Sequence, residues 1–319
     1  MTLHQDPPPD PDPAPRFALD EPLAPTPLQE LVDERLRRAG VRLLLKRDDL
    51  IDPGVPGSGT KWRKLLPNAR AARSAGHDTL LTFGGAYSHH LRATAAAGRR
   101  FGLRTVGVVR GEELRDRPLN PGLARAAAYG MRLDFMDRVT WRLRDTPRVL
   151  EELHERHGPA YVLPEGGSNA LGVRGCRTVT EELNSQAPEV DVICCSVGTG
   201  GMLAGLAAGL RPGQRALGFA ALKPGPSLDL DAETAALQRL AFGARRGSWY
   251  IDHRYHFGGY GRSTPELKAF AAGVADRQDG EAALDLDLTY EAKALYGLLD
   301  LVERGAFRRG TTLALIIAG

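Results

Sequence analysis

The chain has 319 residues, 42% of them hydrophobic and 25% charged, with a formal net charge of +3. That is ordinary globular composition, with enough chain to bury a substantial core in one large domain or two average ones, so neither disulfides nor a structural metal is required. The small positive excess is scattered, which argues against a nucleic-acid partner, and no run of about 18 apolar residues is present to span a membrane.

Three cysteines cannot form a disulfide framework. Cys194 and Cys195 are adjacent on an apolar segment that reads as a strand, so they face opposite sides, and Cys176 lies apart. All three are expected as buried thiols in a reducing, cytoplasmic compartment. Of the 42 lysines and arginines only Lys46, Lys61, Lys64, Lys223, Lys268 and Lys293 are lysines. Arg99, Arg100, Arg245 and Arg246 are expected on the solvated surface.

The acidic, proline-rich start, Met1 to Pro15, is expected to be a disordered tail reaching to about residue 20. Apolar spacing from Leu28 to Gly40 predicts an amphipathic helix, and Val41 to Leu45 a strand. A glycine-studded loop, Asp48 to Thr60, leads to a helix at Trp62 to Ser74 and a strand at Thr79 to Phe83. Gly84 and Gly85 open a helix at Ser88 to Arg100, followed by a strand at Thr105 to Val109. The alternation continues with a helix at Pro121 to Tyr129, a strand at Leu133 to Met136, a helix at Pro147 to His157 and a strand at Ala160 to Leu163. Next come a helix at Gly172 to Asn184, the strand Val190 to Ser196, a glycine loop, the helix Met202 to Leu210 and the strand Ala216 to Ala220. Helices at Pro265 to Ala275 and Ala292 to Arg304 precede a closing strand, Thr312 to Ile317.

Short, wholly apolar strands alternating with helices of three to four turns predict an α/β protein with buried parallel sheet. Chemistry in such folds sits in the loops that leave the carboxyl ends of strands. The segment from Gly54 to Lys61 has the spacing of a phosphate loop, but Thr60 precedes Lys61, the residues before Gly54 are polar, and no later strand ends in an acid to hold magnesium. A nucleotide hydrolase is therefore the weakest reading. Lys61 at the start of a helix is alternatively a Schiff-base amine, its pKa lowered by the positive helix end and by partial burial; a plain surface lysine is the competing possibility. Gly198-Thr199-Gly200-Gly201 joins an apolar strand to a helix, so backbone amides can converge on a phosphate. Gly84 to His90 has the same architecture, and Ser88 there lacks the G-x-S-x-G setting of a hydrolase nucleophile. His154 and His157 lack the order of a zinc motif, so no metal is expected.

Taken in order, Lys46 to Leu50, Gly59 to Leu65, Gly84 to His90, Pro164 to Asn169, Gly198 to Gly201, Gly258 to Gly261 and Leu288 to Lys293 resemble the motifs of a pyridoxal-phosphate enzyme family. It is the 1-aminocyclopropane-1-carboxylate deaminase and D-cysteine desulfhydrase family, of tryptophan synthase β-like fold. The resemblance runs from about residue 25 to the end of the chain. It implies two domains, each with a mainly parallel sheet flanked by helices: residues 21–60 with 173–319 as the larger, and 61–172 inserted as the smaller. The cofactor, pyridoxal 5′-phosphate, would lie between them.

By this resemblance Lys61 would carry the cofactor, while Gly198, Thr199, Gly200 and Gly201, with Lys64, would hold it. Ser88 would face the substrate, and His89 stands where the family has an asparagine bonded to the cofactor's 3′-oxygen. Tyr260 and Tyr290 match active-site tyrosines, and Glu291 matches a glutamate near the pyridine nitrogen in the deaminases. The implied function is a deaminase or lyase that converts a small amino acid, of 1-aminocyclopropane-1-carboxylate or D-cysteine type, to a 2-oxo acid and ammonia, in a homodimer. His89, Met202 in place of a second hydroxyl, Ala318 at a position that separates the two branches, and an end at Gly319 keep open a cofactor-binding homologue with altered or lost catalysis.

Overall fold

The computed structural model describes residue 19 and residues 23–51, 59–225, 228–275 and 284–319. In chain order the elements are β1 (Leu28–Glu30), α1 (Glu34–Ala39), β2 (Arg42–Arg47), α2 (Lys61–Ser74), β3 (Thr79–Gly84), α3 (His89–Phe101), β4 (Arg104–Arg110), α4 (Pro121–Ala128), β5 (Met131–Met136) and α5 (Pro147–His157). They continue as β6 (Tyr161–Leu163), α6 (Ala170–Gln186), β7 (Val192–Val197), α7 (Gly201–Ala208), β8 (Arg215–Ala220), α8 (Leu230–Phe242), β9 (Ser248–Asp252), α9 (Pro265–Ala275), α10 (Glu291–Glu303) and β10 (Thr312–Ile317).

Two sheets result. The larger has the order β1-β2-β10-β7-β8-β9, parallel except for β1, and the smaller, β5-β4-β3-β6, is wholly parallel. Side-chain alternation explains why the central strands are apolar throughout: both faces of the larger sheet are covered. Leu43, Leu45, Cys194, Leu217, Phe219, Leu313 and Leu315 pack on one face with Leu295, Leu298 and Val302 of α10. Leu44, Ile193, Cys195, Ala216, Ala314 and Ile316 pack on the other with Val179 and Leu183 of α6 and Leu203 and Leu206 of α7. Cys194 and Cys195 thus face opposite sides, and all three cysteines are buried free thiols.

The departures from the sequence reading have physical causes. The helix expected from Leu28 to Gly40 begins only at Glu34, because the Asp33 carboxylate accepts the Arg35 N–H as an N-cap. Leu28 to Glu30 instead extend the ladder antiparallel to β2, covering that strand's outer edge. Neither α8 nor β9 was anticipated. The β9 strand is an edge strand with exposed Ser248 and Tyr250, so it lacks an apolar run. On the face α8 turns inward, buried Gln238 breaks the apolar pattern, bonding Trp249 Nε1 and the Arg246 backbone. Arg100 is buried rather than solvated, because it falls on the inward face of α3 with Ala93 and Ala97. The expected tail, apart from Leu19, and residues 52–58 of the phosphate-loop comparison lie outside the described residues.

Candidate active site

A cavity of about 690 Å³ opens where the carboxyl ends of both sheets meet, and every sequence-predicted site residue lines it. Lys61 is the first residue of α2. The helix is set there by the Thr60 N–H, which donates to Ala318 O at 2.7 Å just beyond β10. Lys61 Nζ makes no hydrogen bond or ion pair among the described residues. Burial lowers its pKa, opposed by the thiols of Cys176 and Cys195 and the carboxyl of Glu291. The cause that dominates is therefore the low-dielectric wall, which favours the neutral, nucleophilic amine.

Lys64, one turn further, is held in place. Its Nζ donates to Gly166 O at 3.1 Å and Ser168 Oγ at 2.9 Å, and burial brings its pKa down to about 8. Ser168 Oγ also meets Thr199 Oγ1 at 2.7 Å, which links Lys64 to the glycine loop after β7. Gly200 in that loop has φ +80°, and a Cβ on it would lie 2.4 Å from Thr234 Oγ1. A Cβ on Gly201 would lie 2.7 Å from Lys64 Nζ. Only glycine lets the first turn of α7 come this close to the lysine, so N–H groups and an ammonium converge where an anion would sit.

Ser88 caps α3, its Oγ accepting the Leu91 N–H at 3.4 Å. His89 has both ring nitrogens facing protein groups, Nδ1 at 3.1 Å from Gly319 O and Nε2 at 3.5 Å from Asp287 Oδ2, and its ring packs edge-on against Tyr290. Donation to a cofactor oxygen would require giving up one of these contacts. His90 is buried in the cavity wall. Thr82 Oγ1 donates to Leu163 O, which makes His90 Nε2 the donor to Thr82 at 2.9 Å and leaves Nδ1 as an acceptor with no hydrogen bond. Burial, with Lys61 and Lys64 nearby, holds its pKa well below the usual histidine value, so the ring is neutral.

Tyr290 and Glu291 sit at the start of α10. Asp287 orders this turn by accepting the backbone N–H groups of Thr289 and Tyr290, each at 2.8 Å. Burial raises the Tyr290 pKa well above normal, and Tyr260, 6.2 Å away between ring centres, is pushed up to about 12 for the same reason, so both are neutral hydroxyls. Lys293 fixes the loop that carries Tyr260, donating to Gly259 O at 2.8 Å. Glu291 is 2% exposed and, among the described residues, neither carboxylate oxygen has a well-formed hydrogen bond, although the backbone N–H groups of Glu291 and Ala318 lie near enough to favour its charged form. Burial and the Asp287 charge push its pKa up to about 7. A buried acid without a well-formed hydrogen bond is rare and marks a place meant for something else.

Arg110 and Arg144, absent from the sequence motifs, also line the cavity, as do Glu165 and Ser168 of the Pro164 to Asn169 motif, to which the sequence assigns no role. Arg110 directly follows the expected strand Thr105 to Val109, so the rule that chemistry collects at strand ends was the available signal.

The unmatched groups have complements in a single molecule. Pyridoxal 5′-phosphate presents an anion suited to the glycine loop and Lys64, a ring nitrogen whose N–H would satisfy Glu291, and an aldehyde for the free amine of Lys61. The α/β architecture of the tryptophan synthase β type, with this cavity, is that of a pyridoxal-phosphate enzyme. The chain belongs to the pyridoxal-phosphate dependent enzyme family, which matches residues 19–319. It is 30% identical over 322 residues to 1-aminocyclopropane-1-carboxylate deaminase of Ralstonia pickettii, covering 93% of this chain and 91% of that one. Identity to D-cysteine desulfhydrase of Klebsiella pneumoniae is 29% over 306 residues, covering 89% and 88%. A crystal structure of an ACC deaminase homologue superposes with a TM-score of 0.79 at 30% identity, over 96% of this chain and 91% of that one. No described helix is long and apolar enough to cross a membrane.

Proposed function

We propose that the protein removes the amino group of a small amino acid, with water, to give a 2-oxo acid and ammonia, in the manner of a 1-aminocyclopropane-1-carboxylate deaminase. The observation that carries this reading is Glu291, an acid buried without a well-formed hydrogen bond in the cavity that Lys61 also lines. When bound there, the cofactor supplies an electron sink for the bonds at the substrate's α-carbon, stronger when a carboxylate keeps its ring nitrogen protonated. Lys61 would hold the cofactor and, once released from it, move the proton: from a ring carbon next to the α-carbon for 1-aminocyclopropane-1-carboxylate, whose α-carbon carries no hydrogen, or from the α-carbon itself for a D-cysteine-type substrate. Tyr290 and Tyr260, neutral at any ordinary pH, would donate hydrogen bonds or a proton to the substrate's far carbon. Lys64 and Gly198 to Gly201 would hold the phosphate, and Ser88 would orient the substrate.

A D-cysteine-type substrate, releasing sulfide as well, is the nearest alternative; the relatives include an enzyme of that name. The engagement of both His89 nitrogens favours a second reading, in which the cofactor binds and the deaminase reaction is altered. A homodimeric assembly and a cytoplasmic location belong to the same reading and rest on the family resemblance.

The test is the visible spectrum of purified protein with pyridoxal phosphate, followed by a 2-oxo acid assay with 1-aminocyclopropane-1-carboxylate, D-cysteine and serine. Wild type should show the absorption band of lysine-bound cofactor and form a 2-oxo acid from one of these. Lys61→Ala should lose the band and at least about a thousandfold in turnover. A wild-type protein with no band would refute the cofactor reading, and a band with no product would support the altered enzyme.

A further inference from the structure

The two sheets furnish the cavity with different chemistry. The glycine loop, the tyrosines and Glu291 come from the larger sheet's side, whereas the smaller sheet contributes the Ser88 loop after β3, Arg110 at the end of β4, and Arg144, Asp145 and Glu165 from the loops after β5 and β6. Arg144 is answered there: its Nη2 lies 3.2 Å from Glu165 Oε2 and 3.7 Å from Asp145 Oδ2. Arg110 is not. It is half-buried at the carboxyl end of β4 and makes no hydrogen bond or ion pair among the described residues. Its contact is with the ring of Trp141, 5.9 Å from guanidinium carbon to ring centre, which steadies the side chain without neutralising it.

The position of the guanidinium is defined by its neighbours. A Cβ placed on Gly85 would lie 3.7 Å from Arg110 Nη2 and 3.7 Å from Tyr260 Cε1. Arg110 therefore reaches the space between the loop that carries Ser88 and the tyrosine expected at the substrate. A small neutral amino acid offers one anion, its α-carboxylate, and the cofactor offers its phosphate. The amides of the Ser88 loop and the glycine loop would answer those two. A forked, permanently charged donor set beyond them is surplus unless the substrate brings a further anion.

We propose that Arg110 recognises an anionic group on the substrate's side chain, so that the preferred substrate is an amino acid with a second acidic group, a carboxylate or a phosphate ester. The proposal rests on the cofactor and amino-acid reading above but moves the preferred substrate from the neutral amino acids named there to an acidic one, so that a cofactor band without product from the neutral substrates is compatible with it and the binding ratio decides. Gly85 leaves room at this point, while Trp141 and Tyr260 flank the guanidinium and limit its competition with water.

Matched pairs test it: aspartate against asparagine and O-phosphoserine against serine, as both enantiomers, titrated by calorimetry into the protein with and without pyridoxal phosphate. Wild type should bind the acidic member of at least one pair about 10- to 100-fold more tightly, the range for a charge-assisted bond. Which pair discriminates identifies carboxylate or phosphate ester as the partner. Arg110→Gln should bring that ratio to within about twofold of unity, and Arg110→Lys, which keeps charge without the fork, should fall between. Equal binding by wild type overturns the proposal, as does a preference that survives Arg110→Gln. If Arg110→Gln weakens both members of a pair equally, the residue reads the α-carboxylate and the proposal is again overturned. A missing cofactor band would refute the wider reading, while the calorimetric ratio would still decide the role of Arg110.

Discussion

Two buried ionic constellations lie within a turn of each other on α2 and are built in opposite ways. Arg63 is closed: it donates to both Asp48 oxygens at 2.7 Å and to Glu182 at 2.7 and 2.9 Å, while Thr26 and Thr60 hydroxyls complete Asp48. Lys46 adds a third arm to Glu182 at 2.9 Å. The cluster fastens β2, α2 and α6 together. Lys61 and Glu291, by contrast, are left open, a half-buried amine and a buried acid that have no side-chain partner among the described residues. Burial of charge is costly in both places, but in the first the protein supplies every complement and in the second it reserves them for a ligand. The same helix thus carries a structural arginine and a reactive lysine two residues apart, distinguished by what meets the charge.

The closed cluster should be the more expensive to open. Arg63→Met, which leaves Asp48 and Glu182 buried without their main partner, should lower unfolding stability by about 3 to 5 kcal/mol, read as a shift in denaturant midpoint. An equal effect from Lys61→Met would erase the contrast. The open site should reveal itself through pH. Folded Glu291 keeps its proton up to about pH 7, whereas an ordinary glutamate releases it near 4.5. Between those values the folded state binds more protons than the unfolded chain, so cofactor-free protein should lose stability as pH rises, by about 3 kcal/mol in all. Glu291→Gln should flatten that slope, and denaturant titrations across pH 4 to 8 would check it; an unchanged slope would assign it elsewhere. The smallest effect sharpens the comparison from outside. The exposed pair Arg148 and Glu152 on α5, with N–O distance 3.0 Å, should cost less than about 0.5 kcal/mol when Arg148→Ala breaks it.

What the sequence made legible followed from periodicity and strand-end logic. Apolar strands such as Thr79 to Phe83 and Thr312 to Ile317 stood out because parallel strands are buried on both faces, and Lys61 and Gly198 to Gly201 because they lie in the loops where such strands give way to helices. The β9 strand escaped because an edge strand has an exposed face, and α8 because its inward face includes Gln238, whose side chain serves a tertiary network invisible to local pattern. Arg100 was misplaced for a related reason: charge alone suggested the surface, whereas its helical phase put it inside. Arg110 carried no motif, and its role depends on an absence of partners that only tertiary structure can show. The same holds for His90, whose burial against Thr82 depends on β3 and α3 packing side by side.

Strand order has a consequence for how the molecule is made. In the larger sheet β10 lies between β2 and β7, with Thr312 opposite Arg42 and Leu313 opposite Val192. The smaller sheet draws on residues 79–163 alone, with mostly local crossovers. On a ribosome the smaller sheet can close while the larger one still lacks a central strand, and β2 must wait with an unpaired edge until residues 312–317 have emerged. The cavity, which needs the exit of β10 to seat Thr60 and the start of α2, is therefore among the last features to form. A chain stalled late in synthesis would hold a folded lobe but no place for a cofactor.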